Sequence, residues 1–327
     1  MKTLTDLGVY GQSVLVRVDF NVLPFKAHEL RIEETLPTLE YLLRRRAKVF
    51  LLTHLETNDG KIPSNLVLWE YLRKRYFPRL KFEEKILAPG EISLLENLRK
   101  NPGEKKADKN FAKKLAALGE LYVNEAFSVS HRRHASIVLL PRLLDAGCGF
   151  LFEREIKNLS RVFKPPHPFT LILGGGKVET KLPLLKSLLP RLDFVLLGGV
   201  LLNIYVFQKK PLPSRKIILP REILHSGPRA LDVGGASFPE WEKVIRKSKL
   251  VVWNGPLGHI EKGFTSGTKR LVSILRKTKG EVLIGGGDTL DFLPRKLPRN
   301  IFVSTAGGAM LDYLIHKTLP GLEALKK

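Results

Sequence analysis

At 327 residues, 43% of them hydrophobic and 27 of them glycine, the chain is long enough for two domains and rich in turns. Its single cysteine, Cys148, excludes an internal disulfide; no Cys/His spacing matches a structural zinc site; no run of about 18 apolar residues offers a membrane span; and the N-terminus is too polar for a secretory core. A soluble protein of a reducing cytoplasm is therefore expected. Basic residues outnumber acidic ones 55 to 32, most heavily over residues 161–327 (28 against 12), a field that gathers anions but names no partner.

In chain order, short apolar runs alternate with helical spacing, the signature of βα units on parallel sheets. Strands are predicted at Val14–Val18, Val49–Leu52 and Glu120–Val123, with helices at Leu36–Arg46 and Phe111–Leu118. Phe150–Phe163 reads as one helix, ended by Lys164-Pro165-Pro166-His167-Pro168 because proline denies a helix both geometry and donors. Beyond it the strands predicted are Phe169–Leu173, Phe194–Leu197, Leu250–Trp253, Glu281–Ile284 and Ile301–Val303. The helices there are Leu182–Leu189, Trp241–Lys247 and Thr268–Lys277. The change of loop chemistry across this boundary, from Asp, Asn, Arg and His to glycine, points to two lobes binding two ligands.

The second half repeats one device four times, a strand followed by small residues: GGGK at 174–177, GG at 198–199, GGGDT at 285–289 and AGG at 306–308. Such turns open helix N-termini and expose backbone N–H groups, so together they point to nucleotide phosphates rather than to ordinary structural turns. This is no Walker A loop, because Val178 stands where Ser or Thr would hold magnesium. Asp288 is the only carboxylate attached to the glycine turns; it suits magnesium, a hard cation taking oxygen ligands, or a helix N-cap, and the two roles can coexist. The first half offers Arg31, Arg99 and Arg132 in loops, with His54, His131 and His134. Guanidinium forks match carboxylate and phosphate oxygens, so the cluster fits a small multiply charged anion, against surface solvation for any one arginine. Asp19 and Asn21 in VRVDFNV add groups suited to hydroxyls, as a polyol phosphate would require.

These residues also carry a family likeness. VLVRVDFNV, LRIEETLPTLEYLLRRRAKVFLLTHL, LLENLR, VNEAFSVSHRRHAS, LILGGGKVETK, VVWNGPLGHIE, IGGGDT and VSTAGGA stand in the order expected of the phosphoglycerate kinase family, which the chain resembles over nearly its whole length. The resemblance implies an α/β fold of two Rossmann-like lobes, each a parallel sheet flanked by helices, joined by a hinge helix. It places a 3-phosphoglycerate domain at residues 1–149, the hinge at 150–163, a nucleotide domain at 164–312 and a returning segment at 313–327. The implied reaction is reversible phosphoryl transfer between 1,3-bisphosphoglycerate and ADP, giving 3-phosphoglycerate and ATP with Mg2+, in glycolysis and gluconeogenesis. By the same likeness, Asp19, Phe20, Asn21, Arg31, His54, Arg99 and Arg132 bind the acid substrate, and Arg31 and Lys177 are catalytic. Gly175, Gly176, Lys181, Gly199, Asn254, Pro256, Glu261, Gly286, Gly287, Asp288 and Thr289 bind nucleotide, Asp288 also holding the metal. A cytoplasmic monomer is implied, with no specific nucleic acid and no membrane as partners.

The sequence departs from the family pattern in places. After His54-Leu55 the usual Gly-Arg-Pro is replaced by Glu56, Thr57 and Asn58, so an anion-binding arginine is absent and a carboxylate stands nearby. Leu23 is an extra residue between Val22 and Pro24, Gly176 replaces an alanine, Thr180 an aspartate and Ala306 a glycine, the last harmful only if its φ must be positive. The chain is also trimmed around 56–92 and 205–235, and in the latter region, where much of the adenine wall is expected, few residues can be placed. The alternative function is a nucleotide-binding protein of the same fold with reduced or lost catalysis.

Overall fold

The computed structural model describes residues 1–22, 29–57 and 59–326; Leu23 and Asn58, noted above as departures, lie outside the described residues. The chain forms two compact units, one of Met1–Lys157 with Thr318–Lys327 and one of Asn158–Lys317.

The first unit is built on a seven-stranded sheet comprising β1 (Lys2–Thr3), β2 (Ser13–Arg17), β3 (Lys48–Leu52), β4 (Lys81–Phe82), β5 (Ile92–Leu94), β6 (Leu121–Asn124) and β7 (Asp145–Cys148). Every pairing is parallel and the order is β1-β7-β6-β2-β3-β5-β4. Val14, Leu15 and Val16 of β2 and Val49, Leu51 and Leu52 of β3 are wholly buried, which is why these strands read as continuous apolar runs: both faces of the sheet are covered. From β2 the chain builds to one side and then returns to the other side at β6, so the ends of β2 and β6 diverge and leave a crevice.

The second unit repeats the plan with β8 (Phe169–Leu173), β9 (Phe194–Leu197), β10 (Ile217–Ile218), β13 (Leu250–Asn254), β14 (Glu281–Gly285) and β15 (Ile301–Val303), in the order β10-β9-β8-β13-β14-β15. A separate antiparallel hairpin comprises β11 (Ile223–Ser226) and β12 (Arg229–Val233). Here the direction of building reverses between β8 and β13. All eight predicted strands are present to within a residue or two.

The helices differ more. The first long helix is Glu29–Arg44, beginning seven residues before the prediction, and Arg31 therefore sits on a helix rather than in a loop. Pro37 masked the start, since proline reads as a helix opening; here it lies inside, tolerated because Ile32, Thr35, Thr38, Leu39 and Leu42 form one buried stripe. The predicted helix at 150–163 is α-helical over Phe150–Leu159 and tightens into a 3-10 turn at Ser160–Phe163. At its start Glu125 accepts hydrogen bonds from the backbone N–H groups of Leu151 (3.0 Å) and Phe152 (3.1 Å) and from Thr38 Oγ1. Gly149 is required beside it, because a Cβ there would stand 2.2 Å from the Glu125 carboxylate. Among the described residues, no helix is long and apolar enough to cross a membrane.

Candidate active site

In the first unit the crevice lies between the loops after β2 and β6. Asp19 lies two residues beyond β2 and is 7% exposed; its Oδ2 accepts from Arg31 Nη1 at 3.0 Å and from Ser128 Oγ, and its Oδ1 accepts from Asn21 N at 3.3 Å. Burial alone would raise the Asp19 pKa, but Arg31, Ser128 and Arg17 outweigh it and hold the carboxyl well below the usual carboxylate range. Asn21 Oδ1 accepts from the backbone N–H of Glu56 at 3.0 Å, fastening this loop to the one after β3. Phe20 is fully buried in the core, so only its backbone belongs to the site; its N–H donates to Thr53 Oγ1 at 3.1 Å.

Beneath these loops lies Arg17, wholly buried at the end of β2 and absent from the expected site. Its Nε donates to Ser136 Oγ at 2.9 Å, which donates onward to the buried Glu104 carboxylate at 2.6 Å. Its Nη2 meets His54 Nδ1 at 3.2 Å. A guanidinium only donates, so Nδ1 is the acceptor and the His54 proton resides on Nε2. Burial first, then Arg17, Arg99 and Arg132, push the His54 pKa well below its ordinary value against the pull of Asp19, which leaves a neutral imidazole. His134, pushed down to about 4 by burial and by Arg99 and Arg17, is neutral as well. Arg99 occupies the 3-10 turn Leu98–Lys100 and is 4% exposed; Arg132 is exposed after the turn Phe127–Val129. His131 is half-buried in that same segment.

In the second unit the register of β8, β13 and β14 sets Leu173, Asn254 and Gly285 side by side, so three loops leave the sheet at one level. They interlock. Gly174 N donates to Asn254 O (3.0 Å), Gly175 N to Pro256 O (2.6 Å) and Gly199 N to Leu257 O (2.8 Å). The amides of 174, 175 and 199, expected to face phosphate, are instead engaged in building the loops. The packing is close enough to demand glycine: Gly255 has φ +87° and a Cβ there would lie 2.6 Å from Gly174 O.

The helix that follows is Val178–Leu188, starting at once after the exposed Lys177 and four residues before the prediction. Lys181 therefore lies on its first turns, 6% exposed, donating from Nζ to Asn254 Oδ1. Burial, with Lys177 adding to it and Asp288 opposing, brings the Lys181 pKa down to about 8. A cavity of about 220 Å³ opens beside these loops, lined by Gly175, Gly176, Gly199, Pro256, Glu261 and Asp288 among the expected residues. Its other walls are Gly258, His259 and Ile260, which lie within the VVWNGPLGHIE stretch but were given no role, and Val200, Asn203, Arg229, Ala230 and Leu231, which motif reading did not reach. Glu261 is exposed, with a carboxylate oxygen 3.0 Å from His259 Nδ1.

Gly286 (φ +113°), the exposed Gly287 and the buried Thr289 complete the loop that carries Asp288. Two buried polar atoms near Gly286, Asn254 Nδ2 and Thr289 Oγ1, have no hydrogen-bond partner among the described residues. Ala306 has φ −112°, so its replacement of glycine carries no backbone strain.

Two parallel α/β units, one gathering arginines at its switch point and the other setting two lysines near a carboxylate that lines a glycine-built cavity, define a phosphoryl-transfer protein of the kinase class. The family profile described as phosphoglycerate kinase matches residues 4–214 and 206–317. The chain is 35% identical to the phosphoglycerate kinase of Thermomicrobium roseum over 389 aligned positions, covering 99% of both, and 35% identical to that of Thermus thermophilus, covering 100% of both. A solved phosphoglycerate kinase from Coxiella burnetii superposes with a TM-score of 0.83 at 27% identity, covering 99% of this chain and 98% of that one. The Pyrococcus horikoshii enzyme, at 24% identity, shares the fold with a TM-score of 0.87, covering 100% and 98%. The chain belongs to the phosphoglycerate kinase family.

Proposed function

We propose that the chain catalyses reversible phosphoryl transfer between 1,3-bisphosphoglycerate and ADP, with the acid substrate on the first unit and the nucleotide on the second. The observation that carries the reading is the grouping of Lys177, Lys181 and Asp288 within electrostatic reach of one another, with Asp288 on the wall of a glycine-built cavity, in a member of this family. In the direction of ATP formation, a β-phosphate oxygen of ADP forms the new P–O bond while the bond from phosphorus to the acyl oxygen breaks. The electron pair leaves on the carboxylate, and no proton moves, so no general base is needed. Negative charge spreads over the oxygens of the moving group, and Arg31 and Lys177 are assigned to it. Lys181 binds nucleotide phosphate, Glu261 the ribose, and Arg99, Arg132 and the His54 Nε2–H hold the acid substrate's charge while Asp19 and Asn21 meet its hydroxyl.

The donor set fits magnesium. Asp288 is an exposed carboxylate on the cavity wall, and among the described residues no cluster of three His, Cys, Asp or Glu side chains competes for a metal. One carboxylate with substrate phosphates and water is the usual holding for this ion. When bound, it neutralises charge on the phosphate oxygens.

The helix Phe150–Leu159, within which the two units divide, serves as hinge; the protein works as a cytoplasmic monomer without specific nucleic-acid partners. The alternative of a fold retained without catalysis is not favoured, because Arg31, Lys177, Asp288 and Glu261 are all kept. The test is ATP formation from ADP and 1,3-bisphosphoglycerate with and without magnesium. Magnesium-dependent turnover supports the reading, and no turnover in either condition refutes it.

A further inference from the structure

Glu56 stands inside the anion site, where a ligand's charge would go. Its backbone is pinned to Asn21 Oδ1, its Oε2 accepts from Arg99 Nη1, and its Oε1 accepts from Lys105 Nζ at 3.1 Å. The Arg99 side chain is 2% exposed and that of Glu56 28%, so the carboxylate lies between the guanidinium and solvent. Other charges nearby, among the described residues, include the cations Arg17, Arg31 and Arg132, the anion Asp19, which is already engaged by Arg31 and Ser128, and the buried Glu104 carboxylate, which is held by Ser136. An arriving dianion therefore finds Arg132 open, but reaches Arg99 only by displacing Glu56. Arg99 Nε, buried and without a hydrogen-bond partner among the described residues, leaves the guanidinium with donors to offer once that happens.

We propose that Glu56 is an affinity-setting residue for the acid substrate, an internal anion that neutralises Arg99 and Lys105 and is exchanged for the substrate's phosphate. The inference rests on the assignment of this unit to the acid substrate. Each bound molecule must break two ion pairs to gain its own, so binding is weakened and release made easier without touching the reacting atoms. Glu56 acts through Arg99 and is a specificity residue, not a catalytic one.

The test measures 3-phosphoglycerate binding by calorimetry without nucleotide, together with KM and kcat, in the full chain and in Glu56→Gln and Glu56→Ala. Removing a close competing charge should tighten Kd and lower KM roughly three- to tenfold, with kcat kept within about twofold. The gain should vanish when Arg99→Ala is added, because the two sites are coupled. Glu70→Gln, which removes an equal charge from an exposed helix position, should leave both constants unchanged. Unchanged or weaker binding in both Glu56 variants of an active parent overturns the inference alone, as does an equal gain from Glu70→Gln. A parent that binds no 3-phosphoglycerate overturns the substrate assignment and the inference together.

Discussion

Lys181 and Asn254 are joined by a hydrogen bond from Nζ to Oδ1, which ties the helix after β8 to the end of β13 across the switch point of the second unit. The ammonium is thereby aimed at the loops where nucleotide phosphate is proposed to bind, while burial lowers its pKa to about 8. At pH about 8.5 the free lysine is mostly neutral, and a phosphate beside it restores the charge, so ADP binding should draw a proton from solution. Calorimetry in buffers of different ionisation enthalpy reads that uptake directly. Lys181→Met should abolish it and weaken ADP binding roughly tenfold or more, the worth of a charge-assisted hydrogen bond.

Glu125 makes the stability of the first unit depend on pH. Burial raises its pKa to about 7, against the bonds from Thr38, Leu151 and Phe152 that favour the carboxylate. Because the folded pKa exceeds the unfolded value near 4.5, the folded state holds the proton more tightly. The contribution is complete below the unfolded pKa and is lost as pH rises through about 7. Its size is on the order of 3 kcal/mol. Urea unfolding from pH 4.5 to 8 should show stability falling with pH more steeply in the parent than in Glu125→Gln; parallel curves would refute the assignment.

Gly255 and Gly176 should behave oppositely on substitution by alanine. At Gly255, φ of +87° and a Cβ 2.6 Å from Gly174 O force the interlocked loops apart. Gly255→Ala should cost about 2–4 kcal/mol and impair nucleotide binding. At Gly176 nothing lies within 4 Å of the added Cβ and no positive φ is needed, so Gly176→Ala should stay within about 0.5 kcal/mol of the parent. Thermal unfolding with and without ADP separates the two.

The elements legible in the sequence are those whose burial is two-sided. β2, β3, β8, β13 and β14 are apolar along their length because helices cover both faces, and the ligand loops follow at their ends. β7, with sequence DAGC, and the two-residue strands β1, β4 and β10 lack any such run and depend on tertiary pairing for their existence. Arg31 was hidden on its helix by Pro37. Arg17 reads as the polar end of a strand, and only the fold brings Ser136, from far along the chain, within 2.9 Å of it. Gly175, Gly176, Gly199 and Asp288 of the glycine turns line a cavity and the turn at 306–308 does not, and the spacing does not reveal that several of the turn amides bond the carbonyls of Asn254, Pro256 and Leu257. The walls supplied by β12 come from a trimmed segment without a motif, and Asn203 stands just before it.

The most direct test of the account is single-turnover formation of ATP from ADP and 1,3-bisphosphoglycerate in the parent, Arg31→Ala and Lys177→Ala. If these two cations neutralise the moving phosphoryl group, each variant should lose about a hundredfold or more in the rate of transfer at saturating ligands while remaining folded. Transfer at the parental rate in either variant would contradict the account.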